Sequence, residues 1–94
     1  MQSNIQSNTE SNTESNTGTI RMYSTPEGAE IHIDGNPLRD ESGNVRKTPL
    51  ILTDVNAWPH WVIFKMPGYF DEIKLIGIIE GRTSDVYVTM RPIL

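Results

Sequence analysis

From Thr19 onward, apolar and polar residues alternate with a period of two, the pattern of strands that bury one face. Ile20 and Met22 alternate with Arg21 and Tyr23, and Pro26-Glu27-Gly28 then interrupts the run as a turn between strands does. Ile31 and Ile33 alternate with Glu30, His32 and Asp34 until Asp34-Gly35 and Asn36-Pro37 end the segment. The polar stretch from there to Lys47 reads as a long loop with Ser42-Gly43-Asn44 as a possible hairpin tip. Leu50 and Leu52 resume the alternation, and a turn around Asn56 to Pro59 leads into a strong strand from Trp61 to Lys65, closed by Pro67-Gly68. Ile73 to Ile79 and Val86 to Met90 supply two more strands, separated by Glu80-Gly81-Arg82. No stretch carries a helical period. The pattern predicts an all-β fold, a small antiparallel β-sandwich of about six to seven strands.

The chain before Thr19 has a different character. From Gln2 to Gly18 it consists almost wholly of Ser, Asn, Thr, Gln and Glu, with Ile5 its one aliphatic residue, and Ser3, Ser7, Ser11 and Ser15 recur every four positions. Ser, Asn and Thr bond to their own backbone and form helices weakly, and no apolar stripe is present to dock such a helix. Residues 1–18 are therefore expected to be a disordered or extended polar arm, and residues 19–94 the working domain. This arm explains why hydrophobic residues make up only 36% of the chain.

Charge and composition narrow the function. Glu10 and Glu14 account for two of the 12 acidic residues, which leaves the domain with 10 acidic against 8 basic side chains. Such a balanced surface argues against a nucleic-acid binder, whose Lys and Arg cluster to track phosphates. The absence of cysteine removes disulfides, thiolate metal sites and a thiol nucleophile. The longest apolar run, Leu75 to Ile79, falls far short of the roughly 20 residues that span a bilayer, so direct membrane insertion is not expected. The N-terminus has neither the basic start nor the apolar stretch of a secretory signal.

Catalytic and metal-binding constellations fare poorly. Glu30, His32 and Asp34 share a strand face, but residues i and i+4 on a strand lie about 13 Å apart, too far for a single ion to reach all three. A solvated strand face is the expectation, and His60 reads as a turn or edge residue. Ser24 adjoins a turn already explained by Pro26 and Gly28, the pairs Asp40-Glu41 and Asp71-Glu72 point to opposite faces of an extended chain, and no phosphate-cradling glycine loop exists. No enzyme activity and no cofactor are expected.

Several motifs occur in a specific order: Ser24-Thr25-Pro26-Glu27-Gly28-Ala29, Ile31-His32-Ile33-Asp34-Gly35, Thr48-Pro49-Leu50, then His60, Val62 and Phe64 leading to Pro67-Gly68-Tyr69. In this the chain from Thr19 to Pro92 resembles the PEGA domain, named for the four residues that stand here at Pro26 to Ala29. The resemblance implies a small immunoglobulin-like or prealbumin-like β-sandwich that serves as a non-catalytic module in prokaryotic cell-surface and envelope proteins. Two departures stand out. Twelve residues separate Gly35 from Thr48 where the family has a short connection, and Pro59 replaces the usual glycine before the His60 position. Both place a tight hairpin in question.

The remaining signal is an excess of apolar residues. With Val62 and Phe64 facing the core, alternation turns Trp61 and Ile63 outward. Reading Ile73, Leu75 and Ile79 as inward in the next strand turns Ile76 and Ile78 outward as well. Trp58, Trp61, Ile63, Ile76 and Ile78 thus form the expected partner-binding patch, with Arg39, Arg46 and Lys47 of the long loop as additional contacts for an acidic or polar partner. The expected function is a non-catalytic binding or structural module that docks onto a protein partner, or onto copies of itself, at a cell surface or envelope. Two alternatives remain at this point. One is a virion or phage-tail component whose arm threads along neighbouring subunits; the other is a carbohydrate-binding module using Trp58, Trp61 and Tyr69 as stacking platforms.

Overall fold

A computed structural model describes residues 16–94. The expected polar arm lies, up to residue 15, outside the described residues. Seven strands follow in order: β1 (Thr17–Thr25), β2 (Glu30–Ile33), β3 (Asn36–Pro37), β4 (Leu50–Asn56), β5 (His60–Lys65), β6 (Glu72–Ile76) and β7 (Thr83–Thr89). They form a three-stranded sheet, β4-β1-β7, and a four-stranded sheet, β3-β2-β5-β6. The all-β sandwich expected from the alternation is the observed fold, with one exception to antiparallel pairing: β1 and β7 run parallel.

The core lies between the sheets. Ile20 and Met22 from β1, Ile31 from β2, Leu50 and Val55 from β4, Val62 and Phe64 from β5, and Val86 and Val88 from β7 are buried in it, joined by Ala29, Ile78 and Met90. These are the alternating apolar positions of the sequence in all strands but two. In β4 a shift of register brings Val55 inward out of step with Leu50 and Leu52. In β6, Ile73 and Leu75 point to solvent, Ile76 packs partly against the core, and beyond the strand Ile78 is buried and Ile79 exposed. The expected exposure of Ile76 and Ile78 is therefore corrected. Antiparallel pairing sets Ile73 opposite Ile63 and Leu75 opposite Trp61, and cross-strand partners share a face. Since Val62 and Phe64 face inward, Ile73 and Leu75 must follow Ile63 and Trp61 outward.

Strand β1 begins at Thr17, so the sheet takes in Gly18, read from sequence as part of the arm. Gly18 is buried beneath the β6–β7 connection, where a β-carbon would lie 2.5 Å from the Ile79 carbonyl oxygen. Only glycine admits that approach.

The long polar stretch is an ordered excursion rather than an irregular loop. Asp34 and Gly35 both adopt positive φ, 50° and 88°, and close a tight two-residue turn between β2 and β3, the geometry that suits the twist of paired strands. The twelve residues that put a tight hairpin in question, 36–47, begin after this turn. The chain then folds back on itself, with Arg39 bridging Val45 and Asp40 N–H donating to the Asn44 carbonyl. The Asp40 carboxylate accepts the N–H groups of Ser42 and Asn44, which makes Ser42-Gly43-Asn44 the hairpin tip that its composition indicates.

The crossing from one sheet to the other is held by a buried hydroxyl pair. The Ser24 hydroxyl donates to the Pro26 carbonyl at 2.7 Å and accepts from the Thr48 hydroxyl, which itself accepts the N–H groups of Gly28 at 3.1 Å and Ala29 at 3.0 Å. Gly28 sits at φ 103°, a region that a β-branched side chain occupies only under strain. Gly28→Val is expected to destabilise the domain by about 1–2 kcal/mol. Thr48→Val preserves volume but orphans the Ala29 N–H, and is expected to cost about 2 kcal/mol. Urea unfolding at an unchanged m-value measures both.

Candidate functional site

The outer face of the four-stranded sheet carries a contiguous apolar block, while Ile51, Ile79 and Ile93 are exposed elsewhere. Trp61 and Ile63 on β5 meet Leu75 and Ile73 on β6 as two directly opposed pairs, forming a block two strands wide. Trp61 is 54% exposed, Ile73 57% and Leu75 54%, while Ile63 at the centre of the sheet is half-buried. The patch thus keeps Trp61 and Ile63 from the sequence reading and exchanges Ile76 and Ile78 for Ile73 and Leu75. On β2, His32 sits opposite Ile63 and Glu30 opposite Lys65; Lys65 donates to Asp71 at 2.9 Å, giving the block a rim of mixed charge.

Trp58 is exposed at 56%, but it belongs to the turn before β5, where its ring stacks on His60 at 6.0 Å between centroids. Tyr69 lies past the other end of β5 and is half-buried against the core. The geometry does not gather Trp58, Trp61 and Tyr69 into one platform of the kind that stacks on a sugar. Among the loop cations, Arg39 donates to the Gly43 carbonyl at 2.8 Å and so braces the hairpin tip, whereas Arg46 and Lys47 line a shallow depression with Glu30, Asp40 and Pro49. Glu30, His32 and Asp34 do not share a face. Asp34 leaves the strand at the turn and reaches across to β5.

His60 corrects its expectation most clearly. It begins an interior strand, is 6% exposed, and touches both sheets. Its Nδ1 lies 2.6 Å from Asp34 Oδ2 and its Nε2 lies 2.8 Å from the Asn56 carbonyl oxygen. Both ring nitrogens thus face oxygen atoms, and which of them donates depends on the tautomer. Asp34 Oδ1 also accepts the Trp61 N–H at 3.0 Å. The hydrogen bond to His60, reinforced by that N–H, holds the Asp34 carboxyl below its ordinary value against the opposing effect of desolvation.

Two features escape a one-dimensional reading. Parallel pairing of β1 with β7 sets Tyr23 beside Tyr87, whose rings stack at 4.8 Å, and Arg21 beside Asp85, joined at 2.6 Å, on the outer face of the three-stranded sheet. Arg21 in turn holds the Asp85 carboxyl below its ordinary value. Across the other side of the sandwich, a cleft of about 320 Å³ opens between β3 and β4, floored by Ile33, Leu38 and Leu52 and edged by Asp54 and His60. Asp54 occupies a bulge with φ 59°, where two residues of β4 oppose one of β1.

The sign of the pH effect follows from the lowered carboxyl. Folded Asp34 releases its proton more readily than unfolded Asp34, so its contribution is complete above the unfolded value of about 4 and is lost as pH falls through the folded value. Asp34→Asn is expected to lower stability at pH 7, with the gap to wild type narrowing as the pH is taken below about 4. Denaturant titrations at pH 7 and pH 3 measure that gap, with Asp85→Asn as the companion variant for the second depressed carboxyl.

No curated protein matches the chain. A family model does, described as the PEGA domain and matching residues 17–93, which is nearly all of the chain and begins at the same residue as β1. The hydroxyl pair of Ser24 and Thr48, the left-handed Gly28 and the Asp34-Gly35 turn lie within the matched range, and the chain belongs to the PEGA domain family.

Proposed function

We propose that this domain is a non-catalytic binding module that docks onto a protein partner through the outer face of the four-stranded sheet. The observation that carries the reading is the block of Trp61, Ile63, Ile73 and Leu75, four large apolar side chains in two cross-strand pairs, three of them more than half exposed. Isolated apolar residues on a surface are ordinary, but a contiguous block with a charged rim marks a surface that another molecule covers. Trp61 has the size and placement of an interface anchor. Membership of the PEGA family supports the non-catalytic part of the reading and a place in an extracellular or surface-associated assembly.

Replacing both Trp61 and Ile63 with Thr keeps strand propensity and removes the anchor. The double variant is expected to unfold cooperatively within about 1 kcal/mol of wild type, whereas Phe64→Ala, in the fully buried core, costs about 3–5 kcal/mol. Crosslinking in the native source, followed by the size of the linked species, reads the binding. Wild type is expected to be captured in a larger complex and the double variant to remain free. Unfolding as severe as that of Phe64→Ala sinks the reading.

A further inference from the structure

We infer that β6 is a self-pairing edge, through which two copies of the domain join their four-stranded sheets into one. The inference rests on the docking reading for its choice of sheet and goes beyond it in naming the partner as a second copy of this chain. Among the described residues, strand β6 is the rim of its sheet and pairs with β5 alone. An unpaired edge presents a row of N–H and C=O groups to any strand that approaches. The Arg91 side chain reaches Glu72 Oε2 at 2.6 Å near the start of the strand, and Ile73 to Ile76 follow it along the open edge.

The charge pattern selects one register. Glu72 and Lys74 lie on the core side of the sheet, opposite Phe64 and Val62, while Ile73 and Leu75 lie on the outer side. Antiparallel copies related by a two-fold axis normal to the sheet keep both apolar faces on the same side. If the axis passes through Lys74, the two lysines face each other and repel. If it passes through Leu75, Lys74 faces Ile76 and gains no partner. If it passes through Ile73, Glu72 of each copy faces Lys74 of the other, twice, with Ile73 against Ile73 at the centre. The Glu72 side chain is 17% exposed, and Arg91 is bonded to its Oε2 oxygen rather than to Oε1. Lysine on an edge deters unselected strands; here it also specifies the one strand that is complementary. The apolar blocks of the two copies then merge into a single band.

Sedimentation velocity of the full chain over a range of concentrations is the test. Wild type is expected to self-associate, and Lys74→Glu to weaken that association at least tenfold because it sets glutamate against glutamate. Glu72→Lys is expected to do the same by setting lysine against lysine. An equimolar mixture of the two variants restores pairing, since each glutamate then meets a lysine. Thermal unfolding confirms that each variant is folded. Should Glu72→Lys fail that check through loss of its Arg91 contact, disulfide trapping substitutes for the mixture, since the chain contains no cysteine of its own. In that arm Ile73→Cys forms a linked dimer under oxidation and Leu75→Cys does not. A monomeric wild type, a Lys74→Glu variant that associates like wild type, or trapping through Leu75→Cys in place of Ile73→Cys overturns the inference. A monomeric wild type that still enters a larger complex through Trp61 overturns self-pairing and leaves the docking reading standing.

Discussion

The two sheets are tied together by a buried polar contact at the crossing from β1 to β2. Where the chain leaves β1 to begin β2, the buried hydroxyls of Ser24 and Thr48 bond to each other and between them satisfy the Pro26 carbonyl and the N–H groups of Gly28 and Ala29. Each donor finds an acceptor, so the crossing costs no unpaired polar group. The same Thr48 also exchanges backbone hydrogen bonds with this turn, its N–H donating to the Ala29 carbonyl and its carbonyl accepting from Gly28. Segments 19 to 20 residues apart are thereby tied at one point. Hydrophobic burial drives the sheets together without direction; this contact sets where they meet.

His60 makes a second connection between the layers. Its ring joins Asp34, at the β2–β3 turn of one sheet, to the carbonyl of Asn56, at the end of β4 in the other. The turn must present Asp34 in a left-handed conformation for this, and it does so while the same side chain caps the Trp61 N–H at the start of β5. One residue thus terminates a strand, starts another and anchors a buried histidine. The connection that carries Pro59 runs from β4 in one sheet to β5 in the other, so no hairpin is formed there.

The two outer faces divide their chemistry. The three-stranded sheet shows stacked tyrosines, an Arg21–Asp85 pair and, beside Arg21, a single exposed isoleucine, Ile51. The four-stranded sheet shows Trp61, Ile73 and Leu75. Closure along the β6–β7 side differs from that along the β3–β4 side as well. The C-terminal segment crosses over to bond with Tyr69 and Phe70, and Arg91 lies 5.4 Å from the Phe70 ring while holding Glu72. These contacts seal the sandwich at the base of β6.

Sequence alone determined the fold class, because a period of two with turn residues between segments admits only strands, and it determined the inward set of β1, β2, β5 and β7, where the alternation is unambiguous. It also located the turns at Pro26 to Ala29 and Asp34-Gly35, whose residue types are dictated by local backbone geometry. In β6 it pointed the wrong way, because Ile73, Leu75, Ile76, Ile78 and Ile79 offer an apolar residue to either face. Pairing with β5 decided that Ile73 and Leu75 face solvent, while Ile78 turned inward over Gly18. The parallel β1–β7 pairing and the burial of His60 were likewise decided by tertiary structure. Each depends on a partner distant in the chain, and a residue's own type and its immediate neighbours carry no record of which partner the fold will bring.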